Sequence, residues 1–122
     1  MPKLIQFVQH VWQNYTDIKL FGICFGAQLI AHSLGGEVKP IALPKERPYL
    51  LGREEIMLKP AFFKLPAAKR AFKLGYEQKP SITLHVSHGL EVARMPEGAT
   101  LLASSATTGV ELYNIGNRAL CT

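Results

Sequence analysis

An α/β fold with a largely parallel core is what this sequence predicts. Two observations carry that prediction. A strand, a helix and a second strand follow one another between residues 19 and 43, and five further short extended runs come after them. A helix also precedes the first strand. A doubly wound sheet has strands ahead of such a helix, so the chain reads as cut at both ends, residues 1–122 forming one partial domain.

The elements follow in order. Residues 3–15 predict an amphipathic helix, because Leu4, Val8, Val11, Trp12 and Tyr15 fall on one helical face. Lys19–Ile23 is an apolar run with strand character that enters Gly22-Ile23-Cys24-Phe25-Gly26. Residues 26–34 read as a helix stopped by Gly35-Gly36. Val38–Leu43 predicts a strand ended by the Pro44/Pro48 loop, and Ile56–Leu58 and Ile82–Val86 predict two more. Met95-Pro96-Glu97-Gly98 is a turn signal. Thr100–Ala103 and Val110–Tyr113 predict strands, Asn114–Asn117 a hairpin turn, and Arg118–Thr122 a last extended run.

Composition excludes several classes. At 122 residues and 48% hydrophobic content the chain suits one folded domain and not a disordered tail. Two cysteines, Cys24 and Cys121, are too few for a disulfide-stapled scaffold. No apolar run approaches the ~18 residues of a membrane span. Gln6, Gln9 and His10 make the N-terminus too polar for a signal peptide. A cytoplasmic setting is expected, with no membrane and no nucleic acid as partner. The net charge of +5 is concentrated between Lys59 and Lys79, which reads as solvated basic surface. Phe62, Phe63 and Phe72, interleaved there, read as the apolar side of a short helical segment.

Gly22-x-Cys24-x-Gly26 is the sharpest chemical feature. A strand ends at Ile23 and a helix starts just after Cys24, the arrangement of a nucleophile elbow. The flanking glycines let neighbouring backbone pack closely. The helix N-terminus offers free N–H groups and partial positive charge, which favour a thiolate. The Phe25 N–H is placed to stabilise an oxyanion. The bland alternative is a small buried apolar cysteine. Gln28 follows Cys24 by four residues on the same helical face, within reach of a substrate held at the thiol.

The segment KLFGICFGAQLIAHSLGGEV resembles the nucleophile segment of class I glutamine amidotransferases, with Gly22, Cys24, Gly26, Gln28, Gly35 and Gly36 matching the family's glycine, cysteine and glutamine positions. A second block agrees. Ser87-His88-Gly89-Leu90-Glu91-Val92, followed by Pro96-Glu97-Gly98-Ala99-Thr100-Leu101-Leu102-Ala103-Ser104-Ser105, is similar to the family's Ser-His-Gly-Asp-x-Val and Pro-x-Gly-Ala-x-x-Leu-Ala-Ser-Ser segments. This block looks most like stand-alone members such as plant γ-glutamyl peptidases. The resemblance implies a flavodoxin-like three-layer α/β sandwich, here incomplete. It also implies hydrolysis of a glutamine or γ-glutamyl amide through a cysteine thioester. On that basis Cys24 is the nucleophile and Phe25 N–H an oxyanion donor, while Gln28, Ser87, His88, Gly89 and Leu90 face a small-molecule substrate. No cofactor and no metal are expected.

Two departures matter. The family's base and orienter lie in a His-Pro-Glu segment, and no His-x-Glu occurs in these 122 residues. Leu90 stands where stand-alone members carry an acidic residue. The chain alone is therefore expected to be inactive. Among its histidines, His88 is the best substitute base, His10 is expected in solvent, His32 packed, and His85 exposed or hydrogen-bonded on a strand. Glu91, Glu97 and Glu111 read as solvated, and Cys121 as a strand residue.

The alternative within the same fold is a non-catalytic pseudoenzyme or regulatory fragment, binding a protein partner or itself. A cysteine-variant α/β-hydrolase shares the elbow but not Gln28 or the Ser87–Val92 block. A basic nucleic-acid module has no recognisable motif here.

Overall fold

The computed structural model describes residues 1–122. Helix α1 (Pro2–Asn14) starts on a proline, whose missing N–H is one that a helix start leaves unbonded anyway. There follow β1 (Leu20–Gly22), α2 (Phe25–Ser33), β2 (Glu37–Pro40), β3 (Leu50–Leu58), α3 (Pro60–Phe63) and α4 (Pro66–Lys73). The chain then forms β4 (Ser81–His88), β5 (Leu90–Arg94), β6 (Ala99–Ser104), β7 (Leu112–Ile115) and β8 (Ala119–Cys121). Six strands make one sheet in the order β1-β8-β7-β6-β3-β4, and β2 pairs with β5 in a separate two-stranded sheet.

The core is not largely parallel. Only β1 and β8 run parallel; every other neighbouring pair is antiparallel. Short connections explain this for β6, β7 and β8. Three residues join β7 to β8 and seven join β6 to β7, too few for the crossover that parallel neighbours need. Several boundaries also move. Ile56–Leu58 is only the end of β3, which begins at Leu50, and the strand expected over Val38–Leu43 closes at Pro40. The strand expected over Val110–Tyr113 lies at Leu112–Ile115, so its turn falls on Gly116–Arg118, with Gly116 at φ 54°.

Helices α1 and α2 cover one face of the sheet. Val8, Ala27, Ile30 and Ala31 pack on Tyr113, Ile115, Ala119 and Cys121, with Val92 closing the cluster from β5. The buried stripe of α1 is narrower than its sequence suggests: Val8 and Val11 are buried, whereas Leu4 and Tyr15 are 41% and 48% exposed. Tyr113 sits at the centre, its hydroxyl donating to the Ala27 carbonyl at 2.7 Å. Burial pushes both the Tyr113 phenol and the neighbouring Cys121 thiol up from their ordinary ranges. The expected surface helix around Phe62, Phe63 and Phe72 is present as α3 and α4, with Phe63 packed edge-on against Phe62 and tilted against Phe72. No helix is long and apolar enough to cross a membrane.

Arg118, in the β7–β8 turn, fastens the end of α1. Its guanidinium lies 4.1 Å from the Trp12 ring centroid and donates to the carbonyls of Trp12 and Tyr15, both at 2.9 Å, and of Ile18 at 3.4 Å. The last turn of α1 has no basic residue of its own. Arg118 therefore supplies both the donors and the positive charge that a helix C-terminus lacks. Arg118→Ala is expected to lower unfolding stability by about 1–3 kcal/mol in urea titration. Arg118→Lys should recover only part of this, since an ammonium cannot stack flat and fork to several carbonyls. An unchanged midpoint for Arg118→Ala would refute the assignment.

Candidate active site

Strand β1 delivers the chain to Cys24, and α2 leads it away. Cys24 has φ 52° and ψ −109°, and it is the only non-glycine residue with positive φ. Such a backbone costs on the order of 1–3 kcal/mol and persists only where its surroundings hold it. The holding bonds are visible. The Cys24 N–H donates to the Thr122 carbonyl at 2.7 Å, and the Cys24 carbonyl accepts from the Gln28 N–H at 3.2 Å. The Thr122 N–H donates to the Gly22 carbonyl at 2.9 Å.

The two flanking glycines do different things. A Cβ on Gly22 would lie 2.8 Å from the Ala27 nitrogen and from the Gly26 carbonyl carbon and oxygen, so close backbone contact does require glycine there. A Cβ on Gly26 would meet nothing within 4 Å, and the close-packing role expected of it is not observed. Phe25 is the first residue of α2. Its N–H therefore has no partner within the helix and lies next to the thiol-bearing residue.

The facing wall comes from β4 and β5. Ser87 and His88 end β4, Leu90 begins β5, and Gly89 alone forms the bend, so the expected loop is mostly strand. The Cys24 Sγ lies 4.0 Å from the Ser87 carbonyl oxygen. Gln28 donates through Nε2 to the Leu90 carbonyl at 3.1 Å and so ties α2 to this wall. His88 Nδ1 is 2.8 Å from the same carbonyl. A carbonyl only accepts, so Nδ1 is the donor in this contact.

Cys24, Gln28, Ser87, His88 and Leu90 line a cavity of about 310 Å³ together with Leu84, His85, Val86, Thr108, Val110 and Thr122. A second recess of about 400 Å³ shares Cys24, Gln28, Ser87, His88 and Leu90, and adds Gly89 and Tyr49. Of the residues expected at the site from sequence, only Phe25 lines neither.

Among the lining residues that were not foreseen, three carry polar side chains of chemical interest: Tyr49, Glu91 and Glu111. Tyr49 donates to or accepts from the Ser87 hydroxyl at 3.0 Å. Glu91 and Glu111, read as solvated, are half-buried in the cavity wall, and Glu111 accepts from the Ser105 hydroxyl at 2.6 Å. Glu97 is exposed, as are His10 and His85. His32, expected to pack, is also exposed, because the buried stripe of α2 runs through Ala27, Ile30 and Ala31. No group of three or more His, Cys, Asp or Glu side chains is disposed to hold a metal.

Comparison with known proteins bears on the family and the fold. The family model described as "Glutamine amidotransferase class-I" matches residues 1–121. The chain is 33% identical over 108 residues to gamma-glutamyl peptidase 3 of Arabidopsis thaliana, covering 88% of this chain and 40% of that protein. It is 32% identical over 95 residues to the glutamine-hydrolyzing GMP synthase of Thermomicrobium roseum, covering 78% of this chain and 15% of that one. Among solved structures, a glutamine amidotransferase from Methylobacillus flagellatus superposes with TM-score 0.74 at 20% identity, over 98% of this chain and 42% of its own. One from Thermotoga maritima gives 0.70 at 19%, over 96% and 43%. These chains share the fold. The present chain spans about two fifths of the length of the curated peptidase it matches.

The elbow makes two measurable demands. Gly22→Ala should cost about 1–3 kcal/mol of stability through overpacking, while Gly26→Ala should be neutral or stabilising by up to about 1 kcal/mol; equal effects in urea titration would contradict the geometry. In the native protein Cys24 is exposed and Cys121 is buried. Iodoacetamide should therefore modify Cys24 more than about tenfold faster, and comparable rates by peptide mapping would contradict the burial pattern.

Proposed function

This chain belongs to the class I glutamine amidotransferase family, and from that premise we propose that it carries the nucleophile side of a site for hydrolysing a glutamine or γ-glutamyl amide. The observation that carries the reading is Cys24 itself. It is exposed, held in a left-handed turn at the start of α2, and opens onto the recess walled by Ser87 to Leu90.

The chemistry follows from the parts. The Cys24 sulfur attacks the side-chain amide carbon, and the carbonyl oxygen becomes an oxyanion beside the Phe25 N–H. Collapse expels ammonia or an amine, which takes up a proton as it leaves. Water then hydrolyses the γ-glutamyl thioester to the free carboxylate and returns the thiol. Gln28 and the Ser87–Leu90 segment bound the substrate. Leu90 leaves that wall without the acidic side chain of the stand-alone pattern.

Proton transfer limits this chain. General base help contributes about 10²–10⁴-fold, and the family supplies it from His-x-Glu, absent from these 122 residues. The second reading is a non-catalytic regulatory or binding fragment of the same fold.

An activated γ-glutamyl ester separates the two readings. We expect it to acylate Cys24 and no other residue, with thioester turnover slower by at least about 10²-fold than in a version extended by a His-x-Glu segment. Cys24→Ala should abolish both the adduct and the release of the ester's alcohol. No adduct in the folded chain would support the non-catalytic reading. Fast Cys24-dependent turnover of glutamine by the 122 residues alone would mean that a base is present among them, with His88 the first to replace.

A further inference from the structure

We propose that the α3–α4 arm is a docking surface for an acidic protein partner, distinct from the chemistry at Cys24. The first argument is where the charge lies. Six cations and one carboxylate between Lys59 and Lys79 leave +5, which is the formal net charge of the whole chain. The other 101 residues carry eight cations and eight carboxylates and are neutral. The excess is not a diffuse property of the protein but belongs to the one segment that joins β3 to β4.

The second argument is how that charge is displayed. Along α4, Lys69, Arg70 and Lys73 fall within an arc of about 100°, and all three are exposed. The other side of the helix, through Ala68, Ala71 and Phe72, is turned inward. Lys64 is exposed just before the helix. The only ion pair in the chain, Lys79 with Glu77 at 3.4 Å, lies at the edge of the arm and leaves the α4 cations unpaired. Like charges this close repel one another, and an acidic surface brought against them relieves the repulsion.

The third argument separates a protein partner from other polyanions. Leu74 and Tyr76, immediately after α4, are each 71% exposed. Apolar and aromatic anchors beside a charged rim are the anatomy of a protein interface. The phenylalanines of the arm pack on one another and are not spread as a platform for bases. The apolar side of α4 faces the protein, so the helix has nothing to sink into a lipid surface. Position also fits. The arm sits at the Leu58/Ser81 end of the β3–β4 hairpin, whereas the Cys24 wall is at the Leu50/His88 end. The α3 end of the arm shares a groove with Lys19, Leu20 and Phe21, so it is the outward face of α4, at the opposite end of the hairpin from Ser87 to Leu90, that a partner covers, and the cavity stays open.

The test uses the 122-residue chain and fluorescence anisotropy with three probes: a Glu-rich peptide of about 20 residues containing leucine, a DNA duplex of equal charge, and phosphatidylserine vesicles. The peptide should bind, with affinity falling steeply as salt is raised beyond the range where charges are unscreened. Changing Lys69, Arg70 and Lys73 to Glu together should weaken it at least about tenfold. The triple change to Gln, gentler on folding, should weaken it less but clearly. Leu74→Ser with Tyr76→Ser should weaken it without altering the salt slope. Neutralising Lys3 and Lys39, exposed cations off the arm, should change nothing. Thermal melts by circular dichroism confirm that each variant is folded. Absent peptide binding, binding indifferent to the arm variants, or tighter capture of the duplex or the vesicles would each overturn the proposal.

Discussion

The parallel ladder of β1 with β8 is the contact on which the remaining structure rests. It is three residue pairs long, Leu20 with Ala119, Phe21 with Leu120 and Gly22 with Cys121. It joins residues about a hundred positions apart. Through it the Thr122 carbonyl reaches the Cys24 N–H and stabilises a backbone conformation that a cysteine otherwise avoids. The same ladder brings Ala119 and Cys121 under α2, where Tyr113 bonds the Ala27 carbonyl from below. It also places Arg118 where α1 ends. Elbow, core and helix terminus are thus three consequences of one strand pairing.

Charge is partitioned to match. The cavity beside Cys24 is walled by Glu91, Glu111, His85 and His88 with no lysine or arginine, while the arm beyond the far end of the hairpin holds the cationic excess. A ligand at the thiol and an anionic surface at the arm therefore meet different electrostatic environments on one small protein.

The elbow was legible because its cause is local. Gly22, Cys24, Gly26 and the Gly35-Gly36 stop lie in one stretch, and the structure forms a strand, a turn and a helix there. The second block was legible by resemblance, and Ser87 to Leu90 do face Cys24. Strand direction was not legible, since it depends on which neighbours the connections permit. Most of β3 was missed because Gly52-Arg53-Glu54-Glu55 is charged and belongs to a ribbon with much of both faces in solvent. Tyr49 was missed with it: pairing of Leu50 with His88 carries Tyr49 to Ser87. That register is a tertiary fact, invisible until both strands are known. Glu91 and Glu111 were misread because nothing local distinguishes a cavity-lining carboxylate from a solvated one.

The β3–β4 ribbon has a consequence for motion. Eight residue pairs hold its strands to each other, but only Met57 with Ser104 and Leu58 with Ala103 hold it to the main sheet. Beyond those two pairs, Gly52 faces Val86 and Leu51 is 76% exposed. The ribbon is held to the main sheet at one end, while its other end, the wall that faces the thiol, runs through Gly89 into β5 and is tied there by the Ile41 N–H donating to the Gly89 carbonyl at 3.0 Å. Between these two tethers the strands hold only to each other, so local bending of that middle stretch costs far less than unfolding the core. Leu84, His85 and Val86 of that stretch line the cavity, so its wall can flex as a low-energy fluctuation of an otherwise folded molecule. The room beside the sulfur is then set in part by the elasticity of two strands.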